Sequence, residues 1–274
     1  MARCVYRRSG SARDGAPCIL GATPVSQKVV LRALVLACVA AGLTAFNIDA
    51  QSSSPSLDEL VAKNLRARGG VERLKAVKAM RLKGLMEAPN GTDVPTTIYM
   101  MRPNLIRQEA TVDGRVAVQA FDGKRGWTLS PMMGNVPVEV PVGVAKRMAE
   151  QADFDGPLVD LEAKGHRLEL IGPDKVGEKP AIKVKLVKKS GEEQFVFFDA
   201  STGLEIMTQG EVDQNGRKLT VESRYSDFRA VDGVTMPFSV EVLVNGQRQQ
   251  KITLSGVEFP ERLDPALFEM PGRP

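Results

Sequence analysis

From Met80 onward, apolar side chains recur at every second position in one run after another, and tight-turn signals separate most of the runs. Period 2 puts alternate side chains on opposite faces of an extended chain, so each run predicts a strand with one face on a core. In the first half the runs are residues 80–88, 96–101, 105–111, 115–121 and 127–130. They are separated by Pro-Asn-Gly, Arg-Pro-Asn, Val-Asp-Gly and Asp-Gly-Lys turns. In the second half Ile182, Val184 and Leu186 alternate with Lys183 and Lys185. Phe195 and Phe197 then alternate with Val196 and Phe198, Leu219, Val221 and Tyr225 with Glu222 and Arg224, and Val240, Val242 and Val244 with Glu241. Asn215-Gly216, Asp232-Gly233 and Asn245-Gly246 mark tight hairpins. About eleven antiparallel strands with one polar face predict a large curled meander, because a flat open sheet of that width curls or closes.

Helical periodicity is confined to short segments. Ser56 with Glu59 three residues on forms a capping box, and Leu57, Leu60, Val61 and Leu65 make one apolar stripe. Gly69-Gly70 ends or kinks that helix, and Val71, Leu74 and Val77 continue a second amphipathic turn. A helix over 143–152 presents Val144, Ala145, Met148 and Ala152 on one side. Asp264 before Pro265 predicts a short closing helix through Phe268.

The first 50 residues have a different character. Lys28 and Arg32 precede an apolar run over 33–46, and polar residues follow Ala50. That is the layout of a cleaved secretory leader. At 14 residues the run is shorter than the roughly 20 that a membrane-spanning helix needs. Residues 1–50 are therefore expected to be a signal peptide cut near Ala50, with Met1 an over-extended start, and residues 51–274 a single domain. Cys38, preceded by Val35-Leu36-Ala37, is expected to be a leader cysteine and not a lipid attachment point. The leader holds six of the 37 Lys/Arg and two of the 33 Asp/Glu, which leaves 31 of each sign in the mature chain. The basic isoelectric point belongs to the leader, and a nucleic-acid footprint is not expected. Cys4, Cys18 and Cys38 leave with it too, so stability must come from a core alone.

Composition removes most catalytic chemistry. The one histidine, His166, beside Arg167, is expected at the surface, and no Cys nucleophile or Cys/His metal set exists outside the leader. Glu192 and Glu193 are adjacent and point to opposite faces of a strand. Asp153 and Asp155 can meet on one side, but Gly156 follows and solvated turn acids are the expectation. No phosphate-binding loop, dinucleotide fingerprint or nucleophile elbow is present. Neither enzymatic activity, a metal nor a cofactor is expected.

A curled sheet with one apolar face needs something to fill it: the helices, a guest, or both. Met100, Met101, Met132, Met133 and Met148 lie in sequence around the single Trp127. Thioethers adapt to guests of varied shape, which suits a carrier cavity, and they serve equally as gap-fillers in a closed core.

The stretch Arg102-Pro103-Asn104-Leu105, then Phe121-Asp122-Gly123-Lys124-Arg125-Gly126-Trp127-Thr128-Leu129-Ser130-Pro131 ahead of a helical segment, resembles the LolA family of periplasmic lipoprotein carriers. The likeness extends loosely to Leu263-Asp264-Pro265-Ala266-Leu267-Phe268-Glu269-Met270-Pro271. The methionine-rich first half and the segments 223–229 and 231–238 resemble a divergent branch. The resemblance implies an incomplete antiparallel β-barrel of about eleven strands, with a helical lid over a cavity for acyl chains. It implies that Arg102 sits at the cavity mouth and holds the lid; with the methionine cluster and the motif residues, the expected guest-binding set is Met100, Arg102, Pro103, Leu105, Phe121, Trp127, Met132, Met133 and Met148. On residues alone, Arg102 is an edge-strand arginine before a proline turn and contributes little to stability. The function implied is a monomeric periplasmic carrier of lipid or acylated lipoprotein between an inner-membrane donor and an outer-membrane acceptor. A module that senses envelope lipid or lipoproteins and regulates a partner protein is the alternative on the same fold.

Overall fold

The computed structural model describes residues 55–214 and 216–272. The expected leader and its cleavage point lie outside them. Helix α1 (Leu57–Ala67) starts on the expected capping box: the Ser56 side chain accepts from Glu59 N–H, and Glu59 accepts from Ser56 N–H at 2.9 Å. Gly69 and Gly70, both at positive φ, turn the chain into α2 (Val71–Ala76).

Thirteen strands among the described residues form one antiparallel sheet, two more than the alternation suggested. They are β1 (Ala79–Glu87), β2 (Asp93–Met101), β3 (Leu105–Val112), β4 (Arg115–Phe121), β5 (Gly126–Leu129), the two-residue β6 (Val138–Glu139), β7 (Arg167–Val176), β8 (Lys179–Val187), β9 (Glu193–Asp199), β10 (Glu205–Gln214), β11 (Arg217–Val231), β12 (Val234–Val244) and β13 (Gln247–Glu258). β6 is too short to show a period. β10 carries a bulge against β9 between Glu205 and Met207, which breaks its alternation. The closing helix is a single 3-10 turn over Pro265–Leu267, held by Asp264 accepting from Ala266 N–H.

The strand order β6-β5-β4-β3-β2-β1-β13-β12-β11-β10-β9-β8-β7 joins two meanders where β1 pairs with β13. The sheet stays open, and its two edges, β6 and β7, are consecutive in the chain. The segment between them, helix α3 (Val142–Gln151) followed by an irregular strap over residues 152–166, therefore connects the two edges.

Register separates the two faces. Met80, Met100, Ile106 and Phe121 lie opposite one another in one row across β1 to β4, and that row packs under Leu74 of α2 and Met148 of α3. This is the inner face. At the other end Ile182, Val184, Leu186, Val196 and Phe198 pack under Leu60 of α1. The strap links the two cores, with Leu158 in the second and Val159 in the first. The outer face near β1 to β5 is covered by the C-terminal segment, where Leu263 and Phe268 bury against Ala79.

Candidate functional site

Between the inner face and the helices lies an apolar chamber of about 370 Å³. Its walls come from Leu74 and Val77, Met80 and Leu82, Met100, Met236, and Phe154 and Leu158 of the strap. At one end the lining turns polar with Arg68, Asp155, Glu205 and Tyr225. There the chamber meets a broad charged groove of about 1340 Å³, and Gly156, Pro157, Glu205 and Tyr225 border both spaces. The groove is lined by charges of both signs, including Lys146, Glu150, Asp153, Lys164, Lys188 and Glu211.

Cationic side chains pin the strap from several sides. Arg102 grips Asp155 through two bonds of 2.6 Å, donates to the carbonyls of Val77 at 2.7 Å and Leu74 at 3.2 Å, and stacks on Phe154. Arg68 donates to the Asp155 carbonyl and Lys75 pairs with Asp160, while Lys164, itself in the strap, bridges Asp153 and the Gly156 carbonyl. Asp153 and Asp155 are thus paired acids, not solvated ones. Arg102 is more than a turn arginine, since its guanidinium bridges a carboxylate and two carbonyls with four N–H donors, one more than an ammonium carries. Lys188, on the loop after β8, reaches Glu150 of α3 at 2.7 Å and ties the second meander to the segment that crosses the open side.

The residues singled out from sequence are not gathered in one place. Met100 is a chamber wall, Met148 and Phe121 are buried in the same cluster behind it, and Arg102 holds the strap beside it. Leu105 and Trp127 belong to the outer face. Phe121 points inward, so its neighbour Ala120 and the cross-strand partner Trp127 point outward. Trp127 is 1% exposed, and its indole N–H donates to the Phe268 carbonyl at 2.8 Å. It packs with Val118, Ala120 and Met270 and not with the chamber's walls. Pro103 is exposed in the β2–β3 turn, and Met132 and Met133 are exposed on the 3-10 turn after β5.

His166 is half-buried, and its Nδ1 accepts from the Lys189 N–H at 3.1 Å. Burial, with Lys164 nearby, lowers its pKa.

Sequence reasoning missed Arg68, Glu205 and Tyr225. Glu205 lies opposite Phe198, itself opposite Ile182, so its side chain takes an inner-face place whose neighbours are apolar. The part of it that stays accessible opens onto the chamber and groove it borders. Burial drives its carboxyl up to about 7, against the pull of Arg68. Tyr225 is pushed up to about 12, chiefly by burial and then by Glu205. The sequence signal was a lone carboxylate in the run Leu204-Glu205-Ile206-Met207 directly after the Thr202-Gly203 turn.

No family model matches the chain, and no curated protein matches it. Among solved structures, a LolA superfamily protein from Nitrosomonas europaea aligns with a TM-score of 0.51 at 13% identity, over 77% of this chain and 96% of that one. A DUF1329 family protein from Desulfovibrio piger aligns at 0.49 and 12%, over 79% and 98%. A candidate outer membrane lipoprotein-sorting domain from Vibrio parahaemolyticus aligns at 0.48 and 11%, over 76% and 97%. Identities this low speak to architecture alone, and the Nitrosomonas alignment takes in nearly the whole of that chain. The open thirteen-stranded sheet, with helices and a strap over its inner face, is a LolA-like fold.

Proposed function

We propose that this chain is an exported periplasmic carrier that takes one acyl chain of a lipid or lipoprotein into the chamber and passes it on between membranes. One arrangement supports the reading: an apolar chamber lies beside a charged groove, beneath a strap pinned by ion pairs and hydrogen bonds and by its buried Leu158 and Val159. An acyl chain matches the walls and a polar head matches the groove. A volume of about 370 Å³ lies at the small end of the roughly 300–1,000 Å³ typical of ligand pockets, which suits one chain more than several. Each methylene removed from water contributes about 0.8 kcal/mol, so ten contribute at most about 8 kcal/mol before the cost of association. Such an affinity holds a guest and still lets it go, and no covalent step is needed.

In this reading Met100 touches the guest, Phe121 and Met148 shape the wall behind it, and Arg102 keeps the strap in place. Export would remove residues 1–50.

Native mass spectrometry with lipid extraction, on protein isolated from the cell envelope, tests both parts. The expected result is a mature chain beginning at Gln51 with an acyl-bearing molecule bound. A chain that carries no lipid and takes up neither laurate nor monolaurin would refute the carrier reading. A diacylated species beginning at Cys38 would make the protein membrane-anchored.

A further inference from the structure

The neck between chamber and groove holds two charged groups without full partners. Glu205 has no side-chain hydrogen bond and no ion pair among the described residues, although its row-mates Ile182 and Phe198 are sealed under α1. Arg68, at the end of α1, uses one donor, Nη1, on the Asp155 carbonyl at 3.0 Å. A Cβ built on Gly156 would stand 3.5 Å from that nitrogen, so the guanidinium lies against the strap where both spaces meet. The neighbouring carboxylates are already engaged, Asp155 by Arg102 and Asp153 by Lys164.

Charge balance disfavours a cationic head, and the free donors of Arg68 favour an anionic one. Arg68 at the end of α1 and the neutral phenol of Tyr225 from β11 act on Glu205, and two strap acids line the same spaces, Asp155 the chamber and Asp153 the groove. Phe198 of β9 and residues 234–237 of β12 bring no titratable side chain. With the two pairs set aside, Arg68 and Glu205 decide the net charge. A guest ammonium would leave one net positive charge in a poorly solvated neck. A guest carboxylate leaves none if Glu205 holds a proton: Arg68 donates to the carboxylate, and the Glu205 O–H can donate as well. An acyl chain in the chamber would remove more water from Glu205, and that also favours its neutral form.

We propose that the neck receives the carboxylate head of a long-chain fatty acid, with Arg68 donating to it and Glu205 protonated beside it, so that each guest bound takes up one proton from solvent. The inference rests on the acyl-chamber reading and narrows it to guests with a carboxylate head.

Calorimetric titration of the mature protein with laurate at pH 8, in two buffers of different ionisation heat, counts the protons. Monolaurin serves as the uncharged comparison. Wild-type protein is expected to take up close to one proton per laurate and none per monolaurin. Its laurate affinity should fall nearly tenfold from pH 8 to pH 9, where laurate itself is fully ionised. Glu205→Gln should bind laurate with no proton uptake and a flat pH profile. Arg68→Gln should weaken laurate at least tenfold and leave monolaurin unchanged. If Arg68→Gln fails to fold, the proton count on wild type and Glu205→Gln decides alone. Equal binding of laurate and monolaurin without proton uptake would overturn this inference and leave the acyl chamber standing. Binding of neither would sink both.

Discussion

Arg102 commits four of its five N–H donors, two to Asp155 and one each to the carbonyls of Val77 and Leu74. Truncation to Leu strands a carboxylate that is 12% exposed. Breaking a fully buried pair costs about 3–5 kcal/mol. The Arg102 side chain is 32% exposed, so the expected loss for Arg102→Leu is smaller, about 2 kcal/mol, read by urea unfolding. Arg102→Lys should recover less than half of it, because one ammonium cannot copy the fork. A melt identical to wild type would show that the strap does not depend on this clamp. Glu205 predicts a pH effect of definite sign. Its carboxyl titrates at about 7 when folded against an ordinary 4.5, so the folded chain holds that proton more tightly than the unfolded one. The stability it contributes is intact below about 4.5 and is lost as pH rises to about 7. Glu205→Gln should therefore flatten the stability profile between pH 5 and 8. At pH 8 the variant should exceed wild type by on the order of 1–3 kcal/mol, with the lower end favoured by access from the groove. Parallel profiles would mean that Glu205 titrates as an ordinary surface acid.

Between α1 and α2 the chain passes so close to the β11–β12 hairpin that a Cβ on Gly69 would lie 2.1 Å from the Gly233 carbonyl oxygen. Gly69 also sits at φ +113, which side chains other than glycine's rarely adopt. Gly69→Ala is expected to cost about 3 kcal/mol or more through strain and backbone displacement, seen as a drop in the unfolding midpoint. Gly70, at φ +88, has open space around its Cβ direction and should tolerate Ala better. On the outer face the C-terminal segment covers Trp127, and Phe268 is both its hydrogen-bond partner and a plug that is 1% exposed. Phe268→Ala should cost about 3–5 kcal/mol and shift Trp127 emission to the red as water reaches the indole. Laurate or monolaurin added to the intact protein should leave that emission unchanged, since the sheet separates Trp127 from the chamber. A saturable change would mean that the guest binds on the outer face or deforms the sheet.

The whole molecule consists of two meanders joined at β1 and β13, with two cores that share the strap. A guest in the chamber would touch Leu158 of one core and Leu74, Met80 and Met100 of the other. A guest that binds only the folded state stabilises it by mass action, by about 2.7 kcal/mol at a hundred times its dissociation constant. Laurate at that excess should raise the melting temperature in one cooperative step. A transition that splits into two would show that the meanders melt independently and that the strap does not couple them.

Local information sufficed for most of the elements. The capping box of α1, the Asp232-Gly233 and Asn245-Gly246 hairpins, the bounds of β4, and helix α3 to within a residue at each end follow from period, caps and turn chemistry, all of which act within a few positions of the chain. β10 escaped notice because its bulge disturbs the alternation, and β6 because two residues show none. The candidate site was far less legible. Residues close in sequence, such as Phe121 and Trp127, were sent to opposite faces by register, so methionines clustered around Trp127 in the sequence did not meet around it. Arg102 pairs with Asp155 across 53 positions, and Arg68 stands near Glu205, without bonding to it, across 137. Only the closure of long loops sets those distances, and no local pattern encodes which charge a distant strap will present. The sequence by itself determined a meander with helices on one face. The tertiary structure alone decided where the chamber opens and which carboxylate stands unpaired at its neck, because burial and partnership depend on the whole fold.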